Sequence, residues 1–141
     1  MLERGKCIFV GVDVHKATHT AVIVDPWGEM IGKAITFNNN PAKFPAFVDT
    51  VSAFSEEDKT IVFGLEDVGG YGRSLAVFLI EQGFVVKSVN PALSYAERLS
   101  KPTFKKNDDW DAECVAKVLV RSINQLPDAN PSDIYWTIGQ M

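Results

Sequence analysis

Two short apolar runs, each closed by a carboxylate, constrain this chain more than any other feature. Cys7 to Val12 is rich in strand formers (Ile8, Phe9, Val10, Val12) and ends at Asp13. Thr60 to Leu65 repeats the pattern and ends at Glu66. Runs of this length and β-branched content read as strands buried in a sheet. A charge at the end of such a strand is costly unless it is paired or binds a metal. Taken singly, each acid also reads as an ordinary exposed strand end.

The segments around these runs supply the rest of a sheet. His19 to Val24 reads as a second strand, followed by the turn Asp25-Pro26-Trp27-Gly28, in which Asp starts the turn, Pro fixes φ and Gly permits positive φ. Glu29 to Phe37 is predicted as a third strand, which makes an antiparallel meander. Asn38-Asn39-Asn40-Pro41 opens a helix, with Phe44, Phe47, Val48 and Val51 at helical spacing. Gly69-Gly70-Tyr71-Gly72 is a turn before a helix over Ser74 to Gln82, capped by Gly83. Phe84 to Val89 is predicted as a fifth strand, and Pro91 to Leu99 as a helix. Asp108 to Ile123 is the last clear helix. A meander followed by alternating units predicts an α/β fold, with a five-stranded mixed sheet and helices on both faces.

At 141 residues the chain is predicted to be one domain over 1–125, with 126–141 as a linker. No apolar run reaches the ~18 residues of a membrane span, and the N-terminus lacks a signal-peptide pattern. Cys7 and Cys114 are far apart and match no zinc spacing, so they read as reduced, buried cysteines of a cytoplasmic protein. A net charge of -4 argues against a protein that coats nucleic acid by bulk charge. A metal-binding carboxylate cluster also counts as negative until its metals arrive.

The last helix adds two more acids. At ~100° per residue, Asp108 and Asp111 share a face with Ala112, Val115, Val118 and Leu119, toward the core or the sheet edge. Asp109, Glu113, Lys117 and Arg121 fall on the opposite face, where Glu113 and Lys117 make a favourable i,i+4 pair. Asp108 as N-cap with Asp111 at N3 is the competing account, and the helix dipole favours acids there in any case. Two strand-end acids with a helix-borne pair suit a site for two hard cations, which take oxygen ligands and serve phosphoryl chemistry.

Four ordered blocks then carry a resemblance. They are Val10-Gly11-Val12-Asp13-Val14-His15-Lys16; Phe63-Gly64-Leu65-Glu66 with Gly69-Gly70-Tyr71-Gly72; Val89-Asn90-Pro91; and Lys106-Asn107-Asp108-Asp109-Trp110-Asp111-Ala112. Together they resemble the N-terminal domain of the DEDD insertion-sequence transposases, whose catalytic domain is like the RuvC Holliday-junction resolvase. The resemblance implies a ribonuclease H-like fold. It implies Asp13, Glu66, Asp108 and Asp111 as catalytic metal ligands for two Mg²⁺ or Mn²⁺ ions, and cleavage and rejoining of DNA during transposition. It also implies a structured guide RNA, a homo-oligomer and a prokaryotic, nucleoid-associated setting. Family members carry a C-terminal domain with a nucleophilic serine, so this chain reads as a fragment that does not complete recombination alone. Asn107 and Val68 stand where the family often has a hydroxyl residue.

Arg98, Lys101, Lys105 and Lys106, with Phe104 among them, suit a nucleic-acid backbone and a stacked base; a solvated loop is the plainer account. Lys16 and Tyr71 are further candidate nucleic-acid contacts. His15 lies two residues from Asp13 and points the same way in an extended chain. His19 reads as a satisfied strand histidine, since no zinc spacing includes it. The 69–72 glycines match neither common phosphate-loop pattern. Val14-His15-Lys16 also stands where an actin-like or sugar-kinase-like ATPase needs a Gly-Thr or Gly-Ser turn. A stand-alone RuvC-like endonuclease using water and a non-catalytic nucleic-acid-binding module are the alternatives. The apolar end Ile134 to Ile138 suits some interaction.

Overall fold

The computed structural model describes residues 2–100 and 107–131. Five strands form one sheet: β1 (Cys7–Val14), β2 (Thr18–Val24), β3 (Ile35–Asn38), β4 (Thr60–Glu66) and β5 (Val85–Ser88). Their order is β3-β2-β1-β4-β5. The first three strands are antiparallel neighbours, while β4 runs parallel to β1 and β5 parallel to β4. The helices are α1 (Phe44–Ser52), α2 (Arg73–Glu81), α3 (Pro91–Arg98) and α4 (Asp108–Arg121). The predicted five-stranded mixed sheet with helices is therefore present.

The period-2 alternation of β1 divides the core in two. Ile8, Val10, Val12 and Val14 point to one face, where they meet Phe44, Phe47 and Val51 of α1 and Leu75, Ala76 and Leu79 of α2. Cys7 and Phe9 point to the other face, with Val22, Val62 and the α4 residues Ala112, Val115, Ala116, Val118 and Leu119. β1 is buried along its whole length because both faces are covered.

The third strand is shorter than predicted. Met30 makes only an isolated bridge to Val24, and regular pairing starts at Ile35. Gly32 lies between them at φ +72°, a conformation that breaks an extended strand. Two further expectations change. Asn107, not Asp108, is the N-cap of α4, its side chain accepting from the Trp110 N–H at 2.6 Å; the two residues are both good caps, and tertiary position selects between them. His19 is fully buried against Phe37 and Phe44, but neither ring nitrogen has a hydrogen-bond partner among the described residues. Burial lowers its pKa, which keeps the ring neutral.

Residues 126–131 pack on the body. Leu126 and Ala129 are buried, the Ser88 N–H donates to the Pro127 carbonyl and the Ala129 N–H donates to the Val86 carbonyl. No helix among the described residues is long and apolar enough to cross a membrane. Both cysteines are buried and free, as predicted.

Candidate metal centre

The parallel pairing of β1 with β4 places Asp13 directly beside Glu66. Two residues earlier the same register places Gly11 beside Gly64. With a side-chain period of 2, all four residues face α4. The glycines let that helix come close: a Cβ on Gly11 would lie 2.3 Å from the Ala116 nitrogen and 2.5 Å from the Ala112 carbonyl oxygen. This close approach brings the first turn of α4 over the C-terminal ends of the two central strands. Asp111, one residue before Ala112, enters the same space.

Asp13, Glu66 and Asp111 are 5%, 4% and 5% exposed, which is unusual for carboxylates. Their partners fall into two groups. On one side, the His15 ring lies 2.9 Å from Asp13 and 3.5 Å from Asp108. Ligand atoms of Asp13, His15 and Asp108 all lie within 4.8 Å of one another. On the other side, Arg98 Nε donates to Asp111 at 2.7 Å, and its Nη2 donates to both Glu66 oxygens at 3.1 Å. The buried Ser94 hydroxyl also donates to Glu66.

Burial pushes the Asp13 carboxyl up to about 6, against the opposing hydrogen bond and charge of His15; Asp111 and Glu66 raise it further. Among the described residues, three buried carboxylates and the half-exposed Asp108 thus face one guanidinium and one imidazole. The donors of the cluster are carboxylate oxygens and one imidazole nitrogen. That set fits a divalent cation such as Mg²⁺ or Mn²⁺.

The structure brings the four acids to one end of the sheet, but not equivalently. Asp111 is buried as the helical wheel predicts, whereas the Asp108 side chain is 58% exposed and reaches the site from its rim. Asp109 is exposed and Glu113 pairs with Lys117 at 3.2 Å, as expected for the opposite face. Arg98 differs from the sequence expectation: it is spent on Glu66 and Asp111 rather than free for a nucleic-acid backbone. Lys16 and Tyr71 are exposed. Asn39 ties their backbones together, donating to both carbonyls at 3.1 and 3.0 Å. Lys101, Phe104, Lys105 and Lys106, and the 134–138 end, lie outside the described residues.

Sequence reasoning missed Asp67. Its carboxylate accepts from the backbone N–H groups of Gly70, Tyr71 and Gly72 at 2.8, 3.0 and 2.7 Å. It therefore fixes the loop from Glu66 to the start of α2. The signal available was an acid two residues before a Gly-rich turn, where a carboxylate can accept from the backbone N–H groups that follow it. Asp67→Ala is expected to destabilise the fold by about 2 kcal/mol, the scale for removing charge-assisted bonds from partly buried N–H groups. Urea unfolding measures that loss, and amide exchange at 70–72 should accelerate with it. An unchanged midpoint would contradict the role.

Comparison with known proteins decides the family. A family model for DEDD transposases of the IS110 type, described as a transposase, matches residues 10–136. The chain belongs to this transposase family. No curated protein matches it. Among solved structures, the DEDD transposase domain is similar to Thermus thermophilus RuvC in complex with a Holliday junction substrate. The identity is 10% and the TM-score 0.60, over 87% of this chain and 99% of that one. A second Thermus thermophilus RuvC structure matches with 10% identity and TM-score 0.56, over 86% and 99%. The transposase domain thus has the ribonuclease H-like fold of RuvC, with a carboxylate cluster suited to metal at the end of its central strands.

Proposed function

We propose that this domain is the catalytic part of a transposase that cleaves and rejoins DNA strands using two divalent ions, Mg²⁺ or Mn²⁺. Asp13, Glu66, Asp108 and Asp111 would hold them, with His15 beside Asp13. The observation that carries the reading is the register of Asp13 with Glu66 under the first turn of α4, which gathers buried acids from three separate elements. Family membership and the RuvC-like fold support it.

When bound, the ions supply Lewis-acid polarisation of a phosphoryl oxygen and stabilise charge on the attacking and leaving oxygens. The chain's own residues hold and orient. Asp13 and Glu66 are fixed by rigid neighbouring strands. Asp111 is fixed by a helix packed on those strands. Ser94 orients Glu66, and its burial keeps its hydroxyl from serving as a nucleophile. Lys16, Tyr71, Lys101, Lys105 and Lys106 would contact the nucleic acid around this cluster. A structured guide RNA and a second copy of the chain are partners on the same reading, in a cytoplasmic, nucleoid-associated setting. A serine nucleophile supplied by a further domain belongs to the same reading.

The test is Mn²⁺-dependent cutting of a branched DNA by this domain joined to the serine-supplying domain, and by its variants in the same form. Asp13→Asn, Glu66→Gln and Asp111→Asn should each lower cutting at least about 100-fold, as loss of a metal ligand does, while Asp109→Asn leaves it unchanged. Cutting that survives Glu66→Gln, or that needs no divalent ion, contradicts the reading.

A further inference from the structure

The two halves of the carboxylate cluster are not alike. Asp13, His15 and Asp108 converge within 4.8 Å. Glu66 and Asp111 are bridged by a guanidinium, which approaches from the C-terminal residue of α3. Arg98 makes three bonds there: Nε to Asp111 at 2.7 Å, and Nη2 to the two Glu66 oxygens at 3.1 Å each. It is a planar cation spanning acids from β4 and α4, and among the described residues it is the cation that pairs with both carboxylates.

We propose that Arg98 is a built-in counter-ion that occupies the cation position between Glu66 and Asp111 and competes for it with a divalent ion. This inference rests on the metal-site reading above. Glu66 Oε2 already accepts from Ser94 and Arg98, and Asp111 Oδ1 accepts from Arg98. A cation bound jointly by Glu66 and Asp111 therefore has to displace the guanidinium. The Arg98 side chain is 21% exposed, so it can swing outward without opening the core. The two cation positions consequently load in order. The Asp13 side fills first, and the Glu66–Asp111 side fills only against Arg98. Arg98 is a positioning residue in the metal-free protein: without it, two buried carboxylates would repel each other unpaired.

Calorimetric titration of the full chain with Mn²⁺, beside thermal melting in EDTA and in Mn²⁺, tests this. Wild type is expected to bind one Mn²⁺ tightly and a second at least tenfold more weakly. Arg98→Gln, which keeps a hydrogen-bonding group but removes the charge, should bind the second at least tenfold more tightly than wild type. In EDTA, Arg98→Gln should melt several degrees below wild type, and saturating Mn²⁺ should close that gap. Arg98→Lys keeps the charge without the fork and should fall between the two, so it carries the test if Arg98→Gln does not fold. If Arg98 only pins α3 to the sheet, the melting gap persists in Mn²⁺ and the second affinity does not rise; either result overturns the proposal. Mn²⁺ binding that Asp13→Asn abolishes but Arg98→Gln leaves unchanged defeats this inference alone. Absence of Mn²⁺ binding by every variant defeats the metal-site reading, and this inference with it.

Discussion

Gly11→Ala is expected to cost about 3 kcal/mol or more of stability and to disable the carboxylate site, although it adds a single methyl group. The methyl would lie 2.3 Å from the Ala116 nitrogen, 2.5 Å from the Ala112 oxygen and 2.7 Å from the Ala116 Cα. All three are backbone atoms of α4, so no side-chain rotation relieves the clash and the helix itself has to move. Overpacking of a close-packed interior typically costs 1–3 kcal/mol, and rigid backbone on the far side puts this case at the upper end. Asp111 rides on the same helix, so moving α4 separates it from Asp13 and Glu66. Gly64→Ala is the internal comparison. Its methyl would meet Leu119 side-chain carbons at 3.0 and 3.2 Å, which can yield. It should cost only about 1 kcal/mol. Urea unfolding of both variants measures the difference; equal, small losses would mean that the close approach of α4 to β1 is not what holds the site together.

Asp13→Asn is expected to act in opposite directions on stability and on metal binding. In the metal-free protein the Asp13 carboxyl is pushed from 3.8 to about 6, first by burial. The folded state therefore binds this proton more tightly than the unfolded chain does. As pH rises from about 4 to about 6 the unfolded chain ionises first, so the fold loses stability. The full penalty is present above pH 6. A shift of two units corresponds to about 3 kcal/mol. Asparagine is isosteric and carries no charge, so the metal-free variant should be more stable than wild type by up to about that amount at pH 7–8. The gain should vanish near pH 4. A divalent ion must displace the same proton, so wild-type Mn²⁺ affinity should fall about tenfold per pH unit below 6 and level off above it. Thermal melts at pH 4, 6 and 8 in EDTA check the stability effect. An Asp13→Asn variant no more stable than wild type at pH 8 would show that Asp13 carries no uncompensated buried charge.

The frame of the domain was legible because its elements announce themselves locally. β1 and β4 are uninterrupted β-branched runs, and the α4 wheel separates Asp111 and Val115 from Asp109 and Arg121 by angle alone. The length of β3 was not legible, since Gly32 alters the chain path through a backbone conformation and not through hydrophobic pattern. The convergence of acids was readable as a set, and the resemblance to a known family named the same four. Their division was not. It depends on Arg98 reaching across from α3 to two other elements, a tertiary fact with no sequence period. The Gly11–Gly64 pair was visible as residues, but its meaning needs the register that sets one beside the other. Asp67 and Asn39 went unremarked for a related reason: each acts by accepting from or donating to backbone groups, whose positions no side-chain pattern reports.

On the metal-site reading, Asp13 belongs to a divalent-metal site, and Asp109, which lies between Asp108 and Asp111 in sequence but on the opposite face of α4, does not. Calorimetric Mn²⁺ titration of wild type, Asp13→Asn and Asp109→Asn at pH 8 tests it most directly. Wild type and Asp109→Asn should show saturable tight binding, and Asp13→Asn should lose the tight site. Equal loss in Asp109→Asn, or binding that Asp13→Asn leaves intact, would contradict this assignment.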